Sequence, residues 1–296
     1  MKRRILKGLA RRHFFNWLSD ETYIKLMYYC IMDRKINLKN PQTFNEKLQW
    51  LKLYNRNPIY TMMVDKYEVK KYIAETIGEE YIIPTLGIYS SFDEIDFEKL
   101  PNQFVIKSTH DSGGVVICKD KTKLDIDAAK KKINKSLKNN FFYIGREWPY
   151  KDVKPRIIIE EYINDHKNED LNDYKFMCFN GKVKCSFVCT DRRSEDGLKV
   201  TFFDSDWNKM PFERHYPYSK DEIEKPKNYR KMIEFSEKLS KHIPFVRIDF
   251  YESDGKLYFG EITFFPGNGT EEFTPEEYDY LLGSWIKLPE RNKNEK

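Results

Sequence analysis

The chain has 296 residues, of which 40% are hydrophobic and 16% aromatic, enough to bury a large core and to exclude an intrinsically disordered protein. Its 52 basic and 47 acidic residues leave a net charge of +5, an excess too small to indicate nucleic-acid binding. The cysteines and histidines lack zinc-ligand spacing, and no apolar run suits a membrane span or a signal peptide, so we expect a cytoplasmic protein.

Residues 1–17 combine positive charge with apolar side chains. Basic, aliphatic and aromatic residues are mixed there: Lys2, Arg3, Arg4, Lys7, Arg11 and Arg12; Ile5, Leu6 and Leu9; Phe14, Phe15 and Trp17. A basic amphipathic helix of this composition can lie on an anionic membrane surface, at the inner face of the membrane. It can equally be a solvated helix that docks on the core, and the sequence leaves both interpretations open.

The periodicity of apolar residues changes along the chain and predicts three regions and a tail. A capping box, Thr43-x-x-Glu46, indicates helices in the first region; short β-rich runs and a lysine-rich helix indicate a small α/β subdomain; longer β-rich runs indicate a C-terminal subdomain. The predicted boundaries are a helical N-terminal region over residues 1–80, the small subdomain over 81–155, the C-terminal subdomain over 156–288 and a flexible tail over 289–296.

A polar loop with two glycines follows the predicted strand Phe104–Lys107. The backbone N–H groups of such a loop, which contains Gly113 and Gly114, can bind phosphate oxygens while Lys107 supplies a positive charge. The spacing of a Walker A motif is absent, so a plain turn between two strands is the alternative.

Two later strands carry charged residues in apolar surroundings. Glu160 and Glu161 end a buried strand, where a carboxylate and main-chain groups can bind the edge of an adenine with Ile163 packed nearby. A strand that simply leaves the core is the alternative. Lys175 lies within an aromatic strand, which invites either an anionic ligand or a salt bridge.

Two β-rich runs near the C-terminus, Phe245–Tyr251 and Lys256–Thr263, predict a hairpin. The expected connection is a three-residue loop, Ser253–Gly255, in which the glycine takes the left-handed position. In this register Arg247 faces Glu261. A two-residue Asp-Gly loop is the alternative, and it changes which side chains share a face.

The register decides whether the hairpin can bind a metal ion. With the three-residue loop, Asp249 and Glu261 lie on one face as diagonal neighbours, close enough for one divalent cation to bridge them. Carboxylate oxygens of this kind suit Mg²⁺ that also holds nucleotide phosphates. With the two-residue loop the side chains lie on opposite faces, and a surface hairpin with two solvated acids is the simpler interpretation.

In chain order these motifs resemble those of ATP-grasp enzymes, and more narrowly those of the TupA-like ATP-grasp family, which is associated with polysaccharide and teichuronopeptide biosynthesis and sometimes labelled glycosyltransferase. The matching segments are Asn40–Trp50, Val64–Lys66, Phe104–Lys107, Ser112–Gly114, Glu160–Glu161, Asp173–Phe176, Asn180–Lys182, Asp206–Asn208, Pro244–Tyr251 and Phe259–Pro266. The resemblance implies an α+β ATP-grasp fold, in which two α/β subdomains sandwich the nucleotide, with a helical N-terminal extension.

The resemblance also implies roles for individual residues. The ATP-binding residues would be Lys66, Lys107, Ser112, Gly113 and Gly114 at the phosphates and Glu160, Glu161 and Ile163 at the adenine. Asp249 and Glu261 would bind Mg²⁺, and the catalytic residues Arg247 and Lys175 would contact the γ-phosphate or the acylphosphate.

Two positions depart from the ATP-grasp pattern. Thr263 stands where these enzymes commonly carry an asparagine that serves as a third metal ligand. The glycine loop contains His110 and Asp111, and the carboxylate of Asp111 would repel a phosphate if it pointed toward one.

The implied activity is ATP- and Mg²⁺-dependent ligation of a carboxylate to an amine through an acylphosphate. Such chemistry needs positioning and positive charge rather than a protein nucleophile. The implied substrates are a small carboxylate and a small amine, linked to a saccharide, such as an amino acid joined to a uronic acid of a cell-surface polysaccharide or its precursor. We expect the acceptor near four elements: Arg192, Arg193, Tyr216 and Gly267–Gly269.

The competing hypothesis is a glycosyltransferase that uses a nucleotide-sugar donor. In that case Asp249 and Glu261 would bind Mn²⁺ and the diphosphate, and ATP would not be consumed. The sequence offers one candidate Asp-x-Asp motif, Asp204-Ser-Asp206, but the overlapping segment Asp206-Trp-Asn208 is better explained as a turn between strands.

Overall fold

The computed structural model describes residues 2–164, 171–191 and 197–291. Its helices are α1 (Lys2–Arg11), α2 (Asp20–Met32), α3 (Phe44–Tyr54), α4 (Ile59–Val64), α5 (Val69–Thr76), α6 (Ile126–Leu137), α7 (Phe142–Gly145), α8 (Tyr229–Leu239) and α9 (Glu277–Trp285). Its strands are β1 (Thr85–Tyr89), β2 (Phe104–Ser108), β3 (Val115–Cys118), β4 (Ile157–Glu161), β5 (Asp173–Phe179), β6 (Lys182–Thr190), β7 (Lys199–Asp204), β8 (Glu213–Arg214), β9 (Phe245–Ser253), β10 (Lys256–Thr263) and β11 (Phe273–Thr274). The predicted capping box of Thr43 and Glu46 begins α3.

The chain folds as two units. The continuous unit comprises Asn57–Glu169, and the discontinuous unit comprises Met1–Arg56 and Asp170–Lys296. This division differs from the one expected from the sequence. Helices α4 and α5, expected in the N-terminal region, belong to the continuous unit, and so does β4, expected in the C-terminal subdomain. The reason is non-local, because β4 pairs with both β1 and β2. Residues 292–296 of the predicted tail lie outside the described residues.

The continuous unit is built on a four-stranded antiparallel sheet with the strand order β1-β4-β2-β3. Side chains alternate between the two faces of a strand. Ile106 of β2 and Ile159 of β4 pack with Ile133 of α6 in an apolar core. Lys107 and Glu160, each one residue further along its strand, therefore lie on the opposite face.

The discontinuous unit is built on a five-stranded antiparallel sheet with the strand order β10-β9-β5-β6-β7. One face packs on α8, where the rings of Phe176 and Tyr229 have centroids 5.5 Å apart. The opposite face contains polar residues.

Cross-strand pairing aligns four residues in one row on that polar face. Lys175 of β5 lies opposite Asp249 of β9 on one side and opposite Phe187 of β6 on the other, and Phe187 lies opposite Phe202 of β7. The row places a charged pair beside two aromatic rings.

The predicted hairpin is present as β9 and β10, but its connection is a two-residue turn, Asp254-Gly255, with both residues at positive φ. The predicted three-residue loop is wrong, because an Asp-Gly pair supplies the two left-handed residues that a tight hairpin turn requires. A bulge between Phe259 and Ile262 places an extra residue in β10. This extra residue cancels the change of face that a two-residue turn alone would cause.

Gly260 lies at this bulge. A Cβ atom at Gly260 would lie 3.0 Å from the main-chain oxygen of Asp249 and 3.1 Å from Cε2 of Tyr251. The close approach of the two strands favours a residue without a side chain. Glu261, the next residue, then reaches the face that carries Asp249.

Helix α3 holds the chain that follows β10. Asn45, Gln49 and Lys52 recur at helical spacing and share one face of the helix. Gln49 Nε2 and Lys52 Nζ donate to the carbonyl of Asn268 over 2.7 and 2.8 Å, and Asn45 Nδ2 donates to that of Glu271 over 2.8 Å. The loop after the carboxylate-bearing hairpin is thus fixed by side chains from the N-terminal part of the chain.

Helix α1 packs against α2. Ala10 of α1 lies in an apolar cluster with Phe15 and Tyr23, which matches the docked helix of the two interpretations. Phe14 and Trp17 remain 60% and 76% exposed. Within the described residues, no helix has the length and apolar character needed to cross a membrane.

Candidate functional site

Two lysines and a glutamate form an ion-pair cluster on the polar face of the four-stranded sheet. Glu160 Oε1 lies 2.5 Å from Lys70 Nζ, and Glu160 Oε2 lies 2.6 Å from Lys107 Nζ. Lys70 also donates to the carbonyl of Ile83 and to Oγ1 of Thr85, each over 2.7 Å. With two positive charges and one negative charge, the cluster suits an anionic ligand such as a phosphate.

The charges of this cluster depend on one another. Burial raises the pKa of Glu160, but Lys107 and Lys70 outweigh burial, so the pKa lies below its usual value of 4.5. Burial also lowers the pKa of Lys70, and Glu160 offsets only part of that decrease. Because Glu160 is the counter-ion of two lysines, its implied role at the adenine stays a prediction.

The glycine loop is fixed to helix α6 through Asp111. Asp111 Oδ2 accepts a hydrogen bond from Ser136 Oγ over 2.6 Å, and Oδ1 accepts one from the backbone N–H of Ser112 over 2.6 Å. Ser136 Oγ also lies 2.6 Å from Ser108 Oγ. Asp111 is buried and both of its oxygens are engaged, so this departure from the glycine-rich pattern anchors the loop.

The two glycines of the loop differ in their surroundings. A Cβ atom at Gly114 would collide with the hydroxyls of Ser108 and Ser136, whereas one at Gly113 would meet no atom within 4 Å. Gly114 is therefore required by the anchor of the loop. Lys66 joins the loop from the other side, because its Nζ donates to the carbonyl of Asp111 over 2.6 Å.

The other two residues implied at the adenine lie at the end of β4. Glu161 is exposed, and its backbone N–H donates to the carbonyl of Pro84 over 3.0 Å. Ile163 is half-buried two residues later. Nothing in this arrangement assigns them to a ligand, so their implied role at an adenine also stays a prediction.

A second charged cluster lies on the polar face of the five-stranded sheet. Arg247 Nε lies 2.7 Å from Asp249 Oδ1, and Arg247 Nη2 lies 2.7 Å from both Asp249 Oδ2 and Glu261 Oε1. Lys175 pairs with Asp249 Oδ2, and its Nζ lies 2.7 Å from Asp173 Oδ2. The structure thus brings together the four residues implied in catalysis and metal binding and adds Asp173, a residue that the sequence analysis did not single out.

Burial and ion pairing have opposite effects on the pKa values of the residues in this cluster. Burial lowers the pKa of Lys175, but Asp173 and Asp249 outweigh burial, so the pKa is raised. Arg247 follows the same pattern, with Asp249 and Glu261 raising its pKa. Burial raises the pKa of Asp249, and Arg247 and Lys175 act against that increase. The carboxylates of the cluster therefore favour the charged forms of both cations.

The donor chemistry of the cluster fits Mg²⁺. The three carboxylates of Asp173, Asp249 and Glu261 face two cations, Lys175 and Arg247, which leaves one negative charge in excess. The side chain of Glu261 is 43% exposed, whereas both oxygens of the buried Asp249 accept from cations. In the part of the chain that the structure describes, no group of three or more His, Cys, Asp or Glu residues could hold a metal ion. Any Mg²⁺ would need oxygen ligands from a nucleotide as well.

Two sequence-based expectations beside this cluster can be compared with the structure. Thr263, which replaces the usual asparagine, donates from Oγ1 to Glu261 Oε1 over 3.3 Å and so orients a carboxylate. Asp204 Oδ1 accepts from the backbone N–H groups of Asp206 and Asn208 over 2.9 and 2.8 Å, which confirms the predicted turn. Of the residues expected near the acceptor, Arg192 and Arg193 lie outside the described residues.

Each cluster suits one part of phosphate chemistry. The continuous unit offers lysine ammonium groups and a loop of backbone amides, which bind phosphate oxygens. The discontinuous unit offers a carboxylate pair for a metal ion with two adjacent cations, which can stabilise charge that develops on a transferred phosphoryl group. The sequence analysis missed Lys70, because the α5 helix gives no local sign that it contacts β4.

A protein-family model described as TupA-like ATPgrasp matches residues 46–287 of the chain. A search of curated proteins found no match to this chain. Similar solved structures include D-alanine–D-alanine ligase from Bacillus anthracis complexed with ATP, at 17% identity and a TM-score of 0.40, covering 68% of this chain and 55% of that one. Biotin carboxylase from Campylobacter jejuni in a nucleotide complex is also similar, at 14% identity and a TM-score of 0.44, covering 77% of this chain and 48% of that one.

A third similar structure is the ADP complex of N5-carboxyaminoimidazole ribonucleotide synthetase, at 14% identity and a TM-score of 0.44, covering 74% of this chain and 50% of that one. The chain spans about half the length of these three proteins. At such identities and TM-scores the likenesses are distant, and the family model carries the assignment.

Proposed function

The chain belongs to the TupA-like ATP-grasp family, and from this premise we propose that it is an ATP-dependent carboxylate–amine ligase. Its fold is the α+β ATP-grasp fold expected from the sequence. The observation that carries the proposal is the cluster of Arg247, Lys175, Asp249 and Glu261 on one face of the five-stranded sheet. The cluster combines ligands for a metal ion with cations for a phosphoryl group and contains no nucleophile of the Ser or Cys type.

The proposed reaction has two steps. In the first, an oxygen of the substrate carboxylate attacks the γ-phosphorus of ATP, the bond between that phosphorus and the bridging β–γ oxygen breaks, and ADP leaves. In the second, an amine attacks the carbonyl carbon of the acylphosphate, inorganic phosphate leaves, and the amine nitrogen loses a proton to form the amide. Both steps place extra negative charge on phosphate oxygens, which nearby cations stabilise.

Each group of residues has a proposed part in this reaction. Lys66, Lys107 and the backbone of Ser112–Gly114 bind the phosphates of ATP. Asp249 and Glu261 hold Mg²⁺, which when bound would neutralise phosphate charge. Lys175 and Arg247, fixed by Asp249, stabilise the transferred phosphoryl group, since their raised pKa values keep them charged at neutral pH.

The substrate proposal is finer and rests on the family resemblance. We propose that one substrate is linked to a saccharide and that the amide joins an amino acid or amine to a uronic acid of a cell-surface polysaccharide or its precursor. We also propose that residues 1–17 bring the enzyme to an anionic membrane surface, because Phe14 and Trp17 stay exposed beside basic residues although α1 is docked.

The proposal is tested by trapping the acylphosphate. The protein is incubated with Mg²⁺, ATP, a panel of amino acids and uronic acids, and hydroxylamine in place of the amine, so that an acylphosphate is captured as a hydroxamate while ADP is released. We expect hydroxamate and ADP in equal amounts with at least one carboxylate. Stabilisation of the fold by a UDP-sugar alone, with no response to ATP or ADP, would instead favour the glycosyltransferase.

A further inference from the structure

We propose that Arg214 binds a carboxylate of the substrate. Arg214 lies in β8 and is 6% exposed, and it faces the same sheet surface as the charged cluster. Its Cζ atom lies 4.7 Å from the ring centroid of Phe187 and 5.3 Å from that of Phe202. Phe187 is the cross-strand neighbour of Lys175, so the guanidinium sits one strand away from the proposed catalytic cations. This proposal rests on the proposed function, which takes the charged cluster as the site of phosphoryl transfer, and it adds a residue that binds the substrate.

The first observation is that Arg214 lacks the hydrogen bonds that a buried guanidinium requires. Among the residues that the structure describes, neither its Nε nor its Nη1 atom has a hydrogen-bond partner. Buried N–H groups are almost always bonded, and a charged group without a partner is an especially costly exception. The rings of Phe187 and Phe202 lie near the guanidinium carbon, but they do not replace an oxygen acceptor for its N–H groups. Those N–H groups need hydrogen-bond acceptors.

The second observation is that the counter-ion of Arg214 is present but does not satisfy it. Glu271 Oε2 lies 3.1 Å from Arg214 Nε in a direction that makes no hydrogen bond, and this oxygen also lacks a partner among the described residues. The position of Glu271 is fixed. Asn45 of α3 donates to its carbonyl and accepts from its backbone N–H, and its carboxylate lies directly against Gly267, which has no Cβ atom to obstruct it.

The third observation is the proximity of Arg247. The Cζ atom of Arg247 lies 5.9 Å from the same Phe187 ring. Arg247 already bonds to Asp249 and Glu261, whereas Arg214 retains unused donors. The two arginines therefore have different proposed roles: Arg247 stabilises the phosphoryl group, and Arg214 binds an anionic group of the substrate beside it. The planar fork of arginine matches a carboxylate through two parallel hydrogen bonds, so the chemical class of the ligand is a carboxylate.

The test uses pairs of probes that differ only in the carboxylate. Binding of glucuronate and glucose, and of L-alanine and L-alaninamide, is measured by isothermal titration in the presence of Mg²⁺ and ADP. The proteins are the wild type, Arg214→Gln and the matched control Arg230→Gln, which changes an exposed arginine of α8. The two pairs distinguish a uronic acid from an amino acid as the source of the carboxylate.

We expect the wild type and Arg230→Gln to bind one carboxylate and not its neutral counterpart. Arg214→Gln should bind that carboxylate about 10- to 100-fold more weakly, as expected for the loss of one bidentate charge-assisted pair. Its affinity for ADP should be unchanged. Binding of the carboxylate by Arg214→Gln with wild-type affinity, or binding of none of the carboxylates by the wild type, would overturn the proposal.

Two further variants keep the test decisive if Arg214→Gln folds poorly. Arg214→Lys retains the charge but not the fork, and it should still lose most of the carboxylate affinity. Glu271→Gln removes the competing negative charge, and it should tighten carboxylate binding; a purely structural ion pair would show no such gain. Failure of the wild type to bind ADP or ATP would reject the proposed ligase function. The role of Arg214 is tested separately, because the loss of carboxylate selectivity in the Arg214 variants is measured by binding and does not require ATP turnover.

Discussion

Lys107 and Glu160 are diagonal neighbours on adjacent antiparallel strands, and Lys107 Nζ lies 2.6 Å from Glu160 Oε2. Lys70 occupies the other oxygen of the same carboxylate. An ammonium group has three donors, so Lys107 can keep this contact and still bind a phosphate. Glu160 therefore positions Lys107 without neutralising the whole cluster.

Replacement of Lys107 should weaken the binding of ATP much more than it lowers the stability of the fold. In Lys107→Ala the carboxylate of Glu160 keeps Lys70 as its partner, so we expect a loss of stability of about 1 kcal/mol. The affinity for Mg-ATP should fall at least about 10-fold, since a charge-assisted contact to phosphate is lost. Calorimetric titration and urea denaturation measure the two effects. The control is Lys71→Ala, which changes an exposed side chain of α5, the helix that carries Lys70. Equal ATP affinity in both variants would contradict the assignment.

Replacement of Asp249 should remove turnover and weaken the fold. Asp249→Asn leaves Arg247 and Lys175 buried with one carboxylate fewer, and breaking such a buried pair costs about 3–5 kcal/mol. We expect no ligase turnover and a clearly lower denaturation midpoint. The matched control is Asp254→Asn in the turn of the same hairpin, where asparagine also suits positive φ. Wild-type turnover in Asp249→Asn would show that the metal site lies elsewhere.

Glu160 should make stability depend on pH in the acid range. Its folded pKa lies below the usual 4.5, so its contribution to stability is complete above that value and is lost as pH falls through the folded pKa. The difference in melting temperature between the wild type and Glu160→Gln should therefore shrink as pH decreases from about 6 to about 3. Two melting curves that stay parallel over this range would disprove a depressed pKa.

The two glycines of the glycine loop, Gly113 and Gly114, should respond differently to substitution by alanine. Gly114→Ala forces a methyl group onto the hydroxyls of Ser108 and Ser136, so we expect a loss of about 1–3 kcal/mol. Gly113→Ala places the methyl group in open space and should change stability by less than about 0.5 kcal/mol. Denaturation in urea compares the two variants. Equal stabilities would mean that the loop is not anchored through Ser136.

The membrane proposal is tested on exposed residues. Removal of residues 1–12 would strip away α1 and uncover its partners in the core, so it is a poor test. In the double variant Phe14→Ser and Trp17→Ser, we expect binding to phosphatidylserine vesicles to fall while the melting temperature stays unchanged. Tyr280→Ser, at another exposed aromatic residue, is the control. Equal vesicle binding by all three proteins would reject residues 1–17 as the contact.

The order of motifs in the sequence predicted the family and the fold, and the family model that matches residues 46–287 confirms the family. The hairpin shows where local rules fail. The tight Asp-Gly turn alone would separate Asp249 from Glu261, and the bulge that brings them to one face lies at Gly260, close to the main chain of Asp249 in β9. The turn and the bulge each shift the register by one residue, so together they restore the face but not the pairing. The prediction that Asp249 and Glu261 share a face was correct, whereas the predicted loop and the predicted pairing of Arg247 with Glu261 were wrong, since Arg247 pairs with Thr263.

Contacts between distant residues escaped the sequence analysis. The two structural units divide the chain elsewhere than at residue 156, because β4 pairs with β1 and β2 and its own composition gives no sign of this pairing. Lys70 and Arg214 were missed for the same reason, since each pairs with a glutamate that is distant in the chain. The roles of all the site residues in binding ATP and metal stay predictions.

The attachment of α3 to residues 268–271 also constrains the order in which the protein can mature during synthesis. Gln49 is 219 residues ahead of Asn268, so the N-terminal helices leave the ribosome long before the segment they hold. The continuous unit is formed by one uninterrupted segment, Asn57–Glu169, so it can fold while the later residues are being translated. The loop that follows the hairpin of Asp249 and Glu261 gains its support from α3 only after residues 268–271 have been synthesised, so the charged cluster forms after the continuous unit can fold.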